Sequence, residues 1–167
     1  MSCEMPAEVL EYIELVESGQ PRACPEQHAL VALVRRAFET EALRVETGRL
    51  EKYLGLQKYF PFALFPWEKF LFTLWNCTYT AQGRPRWKTV LCMLGRGAGK
   101  DGYIAFDSAA SISPYNPVGH YNVDICAMNE DQATQPSRDL VEVLELPRHQ
   151  AKLNKHYYHT KEIIQGR

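Results

Sequence analysis

The stretch Thr89-Val-Leu-Cys-Met-Leu-Gly-Arg-Gly-Ala-Gly-Lys-Asp-Gly-Tyr103 constrains the fold more than any other part of the chain. From Thr89 to Leu94 every residue is apolar or β-branched, the pattern of a strand buried on both faces of a parallel sheet, and the run stops at Gly95. Gly95, Gly97 and Gly99 permit positive φ and close backbone approach. Successive N–H groups of Gly95, Arg96, Gly97, Ala98 and Gly99 can then converge on phosphate oxygens where a helix begins, with Lys100 as a mobile positive charge. The order strand, glycine-rich loop, lysine, helix is that of a phosphate loop. The alternative is a plain strand-to-helix connection with a solvated first-turn lysine. The generic spacing is also broken twice: Leu94 stands where the first glycine belongs, and Asp101 where Ser or Thr follows the lysine.

Asp101 sharpens the chemistry. A hydroxyl would ligate Mg²⁺ without adding charge, whereas a carboxylate repels a triphosphate unless the metal lies between them. Magnesium-dependent binding is therefore expected, with Asp101 as the metal ligand. The same carboxylate also favours a helix N-terminus, by about 0.3–1 kcal/mol.

The segments around this loop predict an α/β chain: an incomplete parallel sheet of the P-loop NTPase type, preceded by an all-helical region. Val9, Leu10, Ile13 and Val16 recur at helical spacing from Ala7 to Ser18, and Gly19 with Pro21 stops them. Pro25 opens a second helix with Leu30, Val31, Val34 and Phe38 on one face, and Leu50 to Tyr59 repeats the pattern. Residues 1–59 are thus expected to form a helical lead-in, and 60–167 a nucleotide-binding region. Pro66 begins a helix expected to reach about Tyr79. After the loop a helix should hold Tyr103, Ile104, Ala105, Ala109 and Ile112, and Tyr121 to Met128 should be the next parallel strand. A helix over residues 130–146 should point Leu140, Val141 and Leu144 inward, with Pro136 confining its regular part to the second half. Tyr157, Tyr158, Ile163 and Ile164 look like a further strand, beside a basic tail containing Lys152, Lys155, His156, His159 and Lys161. His156-x-x-His159 has metal-like spacing, but without a nearby thiol it reads as a surface pair.

Composition excludes several classes. With 167 residues, 46% of them hydrophobic, the chain can bury one ordinary core. Its 19 basic and 20 acidic residues predict no bulk attraction to nucleic acid or membrane, so any DNA contact must be local. Arg84, Arg86 and Lys88 form a small basic turn that reads as solvated, with phosphate contact as the alternative. The five cysteines form no C-x-x-C pair, which suits reduced thiols in a cytoplasm. The absence of a long apolar run predicts neither a signal peptide nor a membrane span.

Upstream of the loop, Phe65-Pro66-Trp67-Glu68 combines an aromatic face that can stack on a purine with a carboxylate that can accept from an exocyclic amine. Core packing explains the same residue types equally well. Together, Phe-Pro-Trp-Glu, Leu-Gly-Arg-Gly-Ala-Gly-Lys-Asp-Gly-Tyr-Ile-Ala and Asp-Ile-Cys-Ala-Met-Asn-Glu-Asp-Gln-Ala resemble the N-terminal ATPase part of a tailed-bacteriophage terminase large subunit, over about residues 53–146. That family uses a variant loop with arginine four residues before the lysine, the place of Arg96, and an aromatic-proline-tryptophan adenine motif followed by Gln or a similar residue.

The resemblance implies ATP and Mg²⁺ as ligands. Lys100 would hold the β- and γ-phosphates, Arg96 would sense the γ-phosphate, Asp101 would stand at the metal, and Phe65, Trp67 and Glu68 would contact adenine. Glu68 accepts but cannot donate to the ring nitrogen. It further implies a motor in the cytoplasm of an infected bacterium: a homo-oligomeric ring on the portal protein, working with the terminase small subunit to thread double-stranded DNA into a procapsid. Family members carry a C-terminal endonuclease. The water-activating acidic pair should lie on a later strand; Asn129 stands where such an acid is sought at the end of the Ile125 run, and no nuclease carboxylate set is found. The expectation is a fragment that binds ATP without turning it over. Two rivals stand beside this reading: an unrelated phosphate-loop protein, and a non-enzymatic assembly module whose nucleotide site has decayed.

Overall fold

The computed structural model describes residues 4–119, 121–153, 155, 157–159 and 164–166. It is a mixed helix and sheet chain with elements in the order α1 (Ala7–Ser18), α2 (Pro25–Thr40), β1 (Leu43–Val45), α3 (Thr47–Leu54), a 3-10 helix (Gly55–Tyr59), α4 (Pro66–Cys77), β2 (Thr78–Thr80), α5 (Lys100–Ile112), α6 (Glu130–Glu145), α7 (Pro147–Leu153), β3 (Tyr157–His159) and β4 (Ile164–Gly166). Two compact units form, one from Met1–Glu51 with Leu64–Cys92, the other from Lys52–Ala63 with Met93–Arg167. No helix among the described residues is long and apolar enough to cross a membrane.

In the first unit the apolar stripe of α1 (Val9, Ile13, Val16) meets Val31, Val34 and Phe38 of α2 and Phe70 and Leu74 of α4 in one core. The stripes run at the i, i+3, i+4, i+7 spacing that puts side chains on one helical face. Gly19 ends α1 at φ 69°, a left-handed cap that returns its N–H to the Val16 carbonyl. Tyr12 and Phe70 rings pack 4.6 Å apart inside this core. The expected all-helical lead-in is interrupted: Leu43, Arg44 and Val45 pair antiparallel with Thr80, Tyr79 and Thr78. Four of these six, Val45, Thr78, Tyr79 and Thr80, are β-branched or aromatic, so cross-strand pairing wins over helix continuation. Accordingly α4 stops at Cys77 rather than Tyr79. In the turn that follows, Arg84 is exposed and Arg86 is held. Arg86 holds Glu41 through two N–H groups and lies over the Trp87 ring at 5.2 Å.

The second unit is built on α5 against α6. Ala109 of α5 meets Leu140, Val143 and Leu144 of α6, Leu153 of α7 and Tyr157 of β3, with Phe60 and Ile112 at the margin. The Tyr157 hydroxyl donates to the Ala109 carbonyl at 2.9 Å, satisfying a buried phenol. Helix α6 is continuous from Glu130, with Pro136 inside it and buried, instead of being regular only in its second half. Its inward stripe is Pro136, Leu140, Val143 and Leu144, so Val143 replaces the expected Val141. The C-terminal strand residues pair as two short antiparallel strands, Tyr157↔Gly166 to His159↔Ile164; Ile163, His156 and Lys161 lie outside the described residues.

The expected parallel sheet is not formed among the described residues. Both sheets are two-stranded and antiparallel. The runs Thr89 to Leu94 and Tyr121 to Met128 belong to no strand, and Leu91, Met93 and Met128 are 87, 89 and 99% exposed. A strand buried on both faces needs helices above and below it. Here the apolar stripes of α5 and α6 are spent on each other, leaving Tyr121, Val123 and Ile125 along an open groove of about 890 Å³ beside Ile112 and Leu140.

Candidate phosphate-binding loop

The loop and the helix it feeds lie in the second unit. Gly97 and Gly99 adopt φ of 79° and 87°, and the next residue, Lys100, begins α5. Only glycine takes that conformation without the Cβ–carbonyl clash. The Ala98 N–H bonds the Gly95 carbonyl at 3.3 Å, closing the turn, and the Tyr103 N–H bonds the Gly99 carbonyl at 3.0 Å, starting the helix. The first N–H groups of α5 have no helical acceptor, as at any helix start. No atom lies within 4 Å of where a Cβ would stand on Gly95 or Gly97, so the space beside both glycines is open.

The side chains of Arg96, Lys100 and Asp101 are on the exposed surface or half-buried beside it. The Lys100 ammonium is in direct contact with the Asp101 carboxylate. Mg²⁺ takes one or two protein carboxylates and fills its remaining octahedral positions with phosphate oxygens and water. One exposed carboxylate next to the loop lysine meets that demand; no group of three or more His, Cys, Asp or Glu exists among the described residues, so an all-protein cage is not offered. If metal-bound phosphate enters, Asp101 is the residue that would hold the ion, which would supply charge neutralisation between carboxylate and phosphate.

Gly102 lies outside the glycine-lysine pattern of the loop. A Cβ there would stand 3.1 Å from the Phe62 ring, so the first turn of α5 seats on that ring because position 102 lacks a side chain. Its signal in the sequence is a glycine two residues after the lysine, where a helix interior disfavours one.

The aromatic motif lies in the first unit. Pro66 is the first residue of α4, where its fixed φ and missing N–H cost nothing. Phe65 caps the helix and is 53% exposed, while Trp67 packs against the core of that unit. Glu68 is buried, 2% exposed, and its Oε2 accepts the Phe65 N–H at 2.7 Å. Burial raises the Glu68 pKa, and the Phe65 hydrogen bond opposes that rise. Glu68 therefore has a helix-capping task that fully accounts for one of its oxygens. The loop residues Gly95 to Asp101 and the motif residues Phe65, Trp67 and Glu68 belong to different units. No family model, curated protein or solved structure matches the chain.

Proposed function

We propose that the chain binds a nucleoside triphosphate with Mg²⁺ at Gly95–Asp101, and that this is the ATP site of a terminase-like DNA-packaging protein. The observation that carries the binding reading is the pair of left-handed glycines, Gly97 and Gly99, directly ahead of Lys100 and helix α5. Lys100 would meet the β- and γ-phosphates, Arg96 the γ-phosphate and Asp101 the metal; the assignment of Phe65, Trp67 and Glu68 to adenine rests on the sequence resemblance alone. The packaging role rests on the sequence resemblance. With it come double-stranded DNA, a portal protein and a small subunit as partners, a ring of copies, and the cytoplasm of an infected bacterium as the setting. Phosphoryl transfer also needs a group that orients water; the reading assigns binding, not turnover, to these residues.

Calorimetric titration with Mg-ATP tests it. Lys100→Ala should abolish binding, and Trp67→Ala should weaken it and reduce the preference for adenine over other bases. If both variants bind as the parent does, the site is wrongly assigned. The exposure of Leu91 and Met93 favours a second reading, an assembly module that uses apolar surface rather than nucleotide. That module would show no Mg-ATP heat, and Lys100→Ala would leave its partner binding intact.

A further inference from the structure

Resting on the phosphate-site reading above, we propose that Asp101 makes the loop selective for metal-complexed polyphosphate by competing with phosphate for Lys100. In a phosphate loop the lysine must reach into the ligand. Here its ammonium already contacts the carboxylate of the next residue, and both side chains are about half exposed, 59 and 47%. An exposed pair of this kind is weak by itself and opens readily. The selectivity comes from what opening leaves behind.

If metal-free polyphosphate takes Lys100, Asp101 is left as an uncompensated anion at the first turn of α5, within a few ångström of further negative charge. If the ligand arrives with Mg²⁺, the carboxylate turns to the ion and the lysine to phosphate, so every charge keeps a partner. A serine or threonine in this place would ligate the metal without penalising the free anion. Asp101 thus excludes free polyphosphate where the ordinary residue would tolerate it.

The test is a titration of the full chain with inorganic tripolyphosphate, which lacks a base, in EDTA and again with Mg²⁺. The parent should bind the Mg²⁺ complex at least about tenfold more tightly than the free anion. In Asp101→Asn free-anion binding should strengthen up to about fivefold and binding of the complex should weaken, so the preference collapses. Asp101→Ser should bind both forms. If Asp101→Asn keeps the parent's metal preference while binding still depends on Lys100, the selectivity proposal fails and the phosphate site stands. If the parent binds neither form, or Lys100→Ala binds like the parent, the phosphate site and the proposal fall together.

Discussion

Glu68, third residue of α4, accepts the Phe65 N–H as capping-box glutamates do, but does so buried. Its pKa is raised above the ordinary 4.5, first by burial, with the Phe65 N–H pulling the other way. A carboxyl whose folded pKa exceeds its unfolded value adds stability that is complete below the unfolded value and is lost as pH rises through the folded one. The first unit should therefore lose stability from about pH 4.5 upward through this group. Glu68→Gln keeps an acceptor for the Phe65 N–H and removes the charge, so its urea midpoint, followed by tryptophan fluorescence, should vary less over that range. At pH 7 it should be at least as stable as the parent, whereas Glu68→Ala should be about 1 kcal/mol less stable through the lost cap. Glu17, Glu26 and Glu41 in the same unit have lowered pKa values and add stability as pH rises, so the difference between the two profiles is the readout: a Glu68→Gln midpoint that follows the parent's over that range would refute the assignment. In the loop, Gly97→Ala places a side chain at φ 79° with nothing within 4 Å to clash, so its cost is conformational, about 1–2 kcal/mol. Mg-ATP binding should fall while far-ultraviolet circular dichroism stays unchanged. The need for glycine at 97 and 99 is legible in the sequence because no other residue accepts positive φ so easily. That Gly95 does not use its freedom is not legible, since an allowed conformation is not a required one.

At the scale of elements, the helices emerge close to where periodicity and caps put them: α1 runs from Ala7 to Ser18, α2 opens at Pro25, and α5 closes at Ile112 before Ser113-Pro114. Their phase is less accessible. On α6 both Leu140-Val141-Leu144 and Leu140-Val143-Leu144 describe one helical face. Only contact with Ala109 and Leu153 selects the second. Leu144→Ala should accordingly cost about 2–5 kcal/mol in thermal or urea unfolding, and Val141→Ala less than about 1 kcal/mol. Equal effects would mean that α6 is rotated from the orientation described. Gly102 poses the same question for α5. Alanine there gains up to about 1 kcal/mol of helix propensity but must push the Phe62 ring aside, so the two effects nearly cancel. Valine adds bulk and branching, and Gly102→Val should destabilise by about 1–3 kcal/mol.

Across the whole molecule, the largest departure from expectation is the sheet. Val90-Leu-Cys-Met-Leu94 and Tyr121 to Met128 have the composition of paired strands, yet neither belongs to a ladder. Hydrogen exchange should register this directly: amides of residues 89–94 and 121–128 should exchange near the unprotected rate, and those of residues 104–112 in α5 far more slowly. Protection of both runs would contradict the arrangement described. Exposed apolar side chains on a chain of net charge −1 also favour association. Met93→Lys, at a position 89% exposed, should lower light scattering at neutral pH without changing the unfolding midpoint. The sequence by itself determined the features that depend on a residue and its near neighbours. These are the helix starts at Pro25 and Pro66, the stops at Gly19 and Ser113, the glycine loop that feeds α5, and Lys100 at its first turn. Tertiary structure decided the remainder: Glu68 buried as a cap, Arg86 held by Glu41, Val143 inward instead of Val141, and two apolar runs left unpaired. Local conformation follows from short-range sterics and hydrogen bonding. Partner choice depends on which apolar surfaces meet, and residues far apart in the chain settle that together.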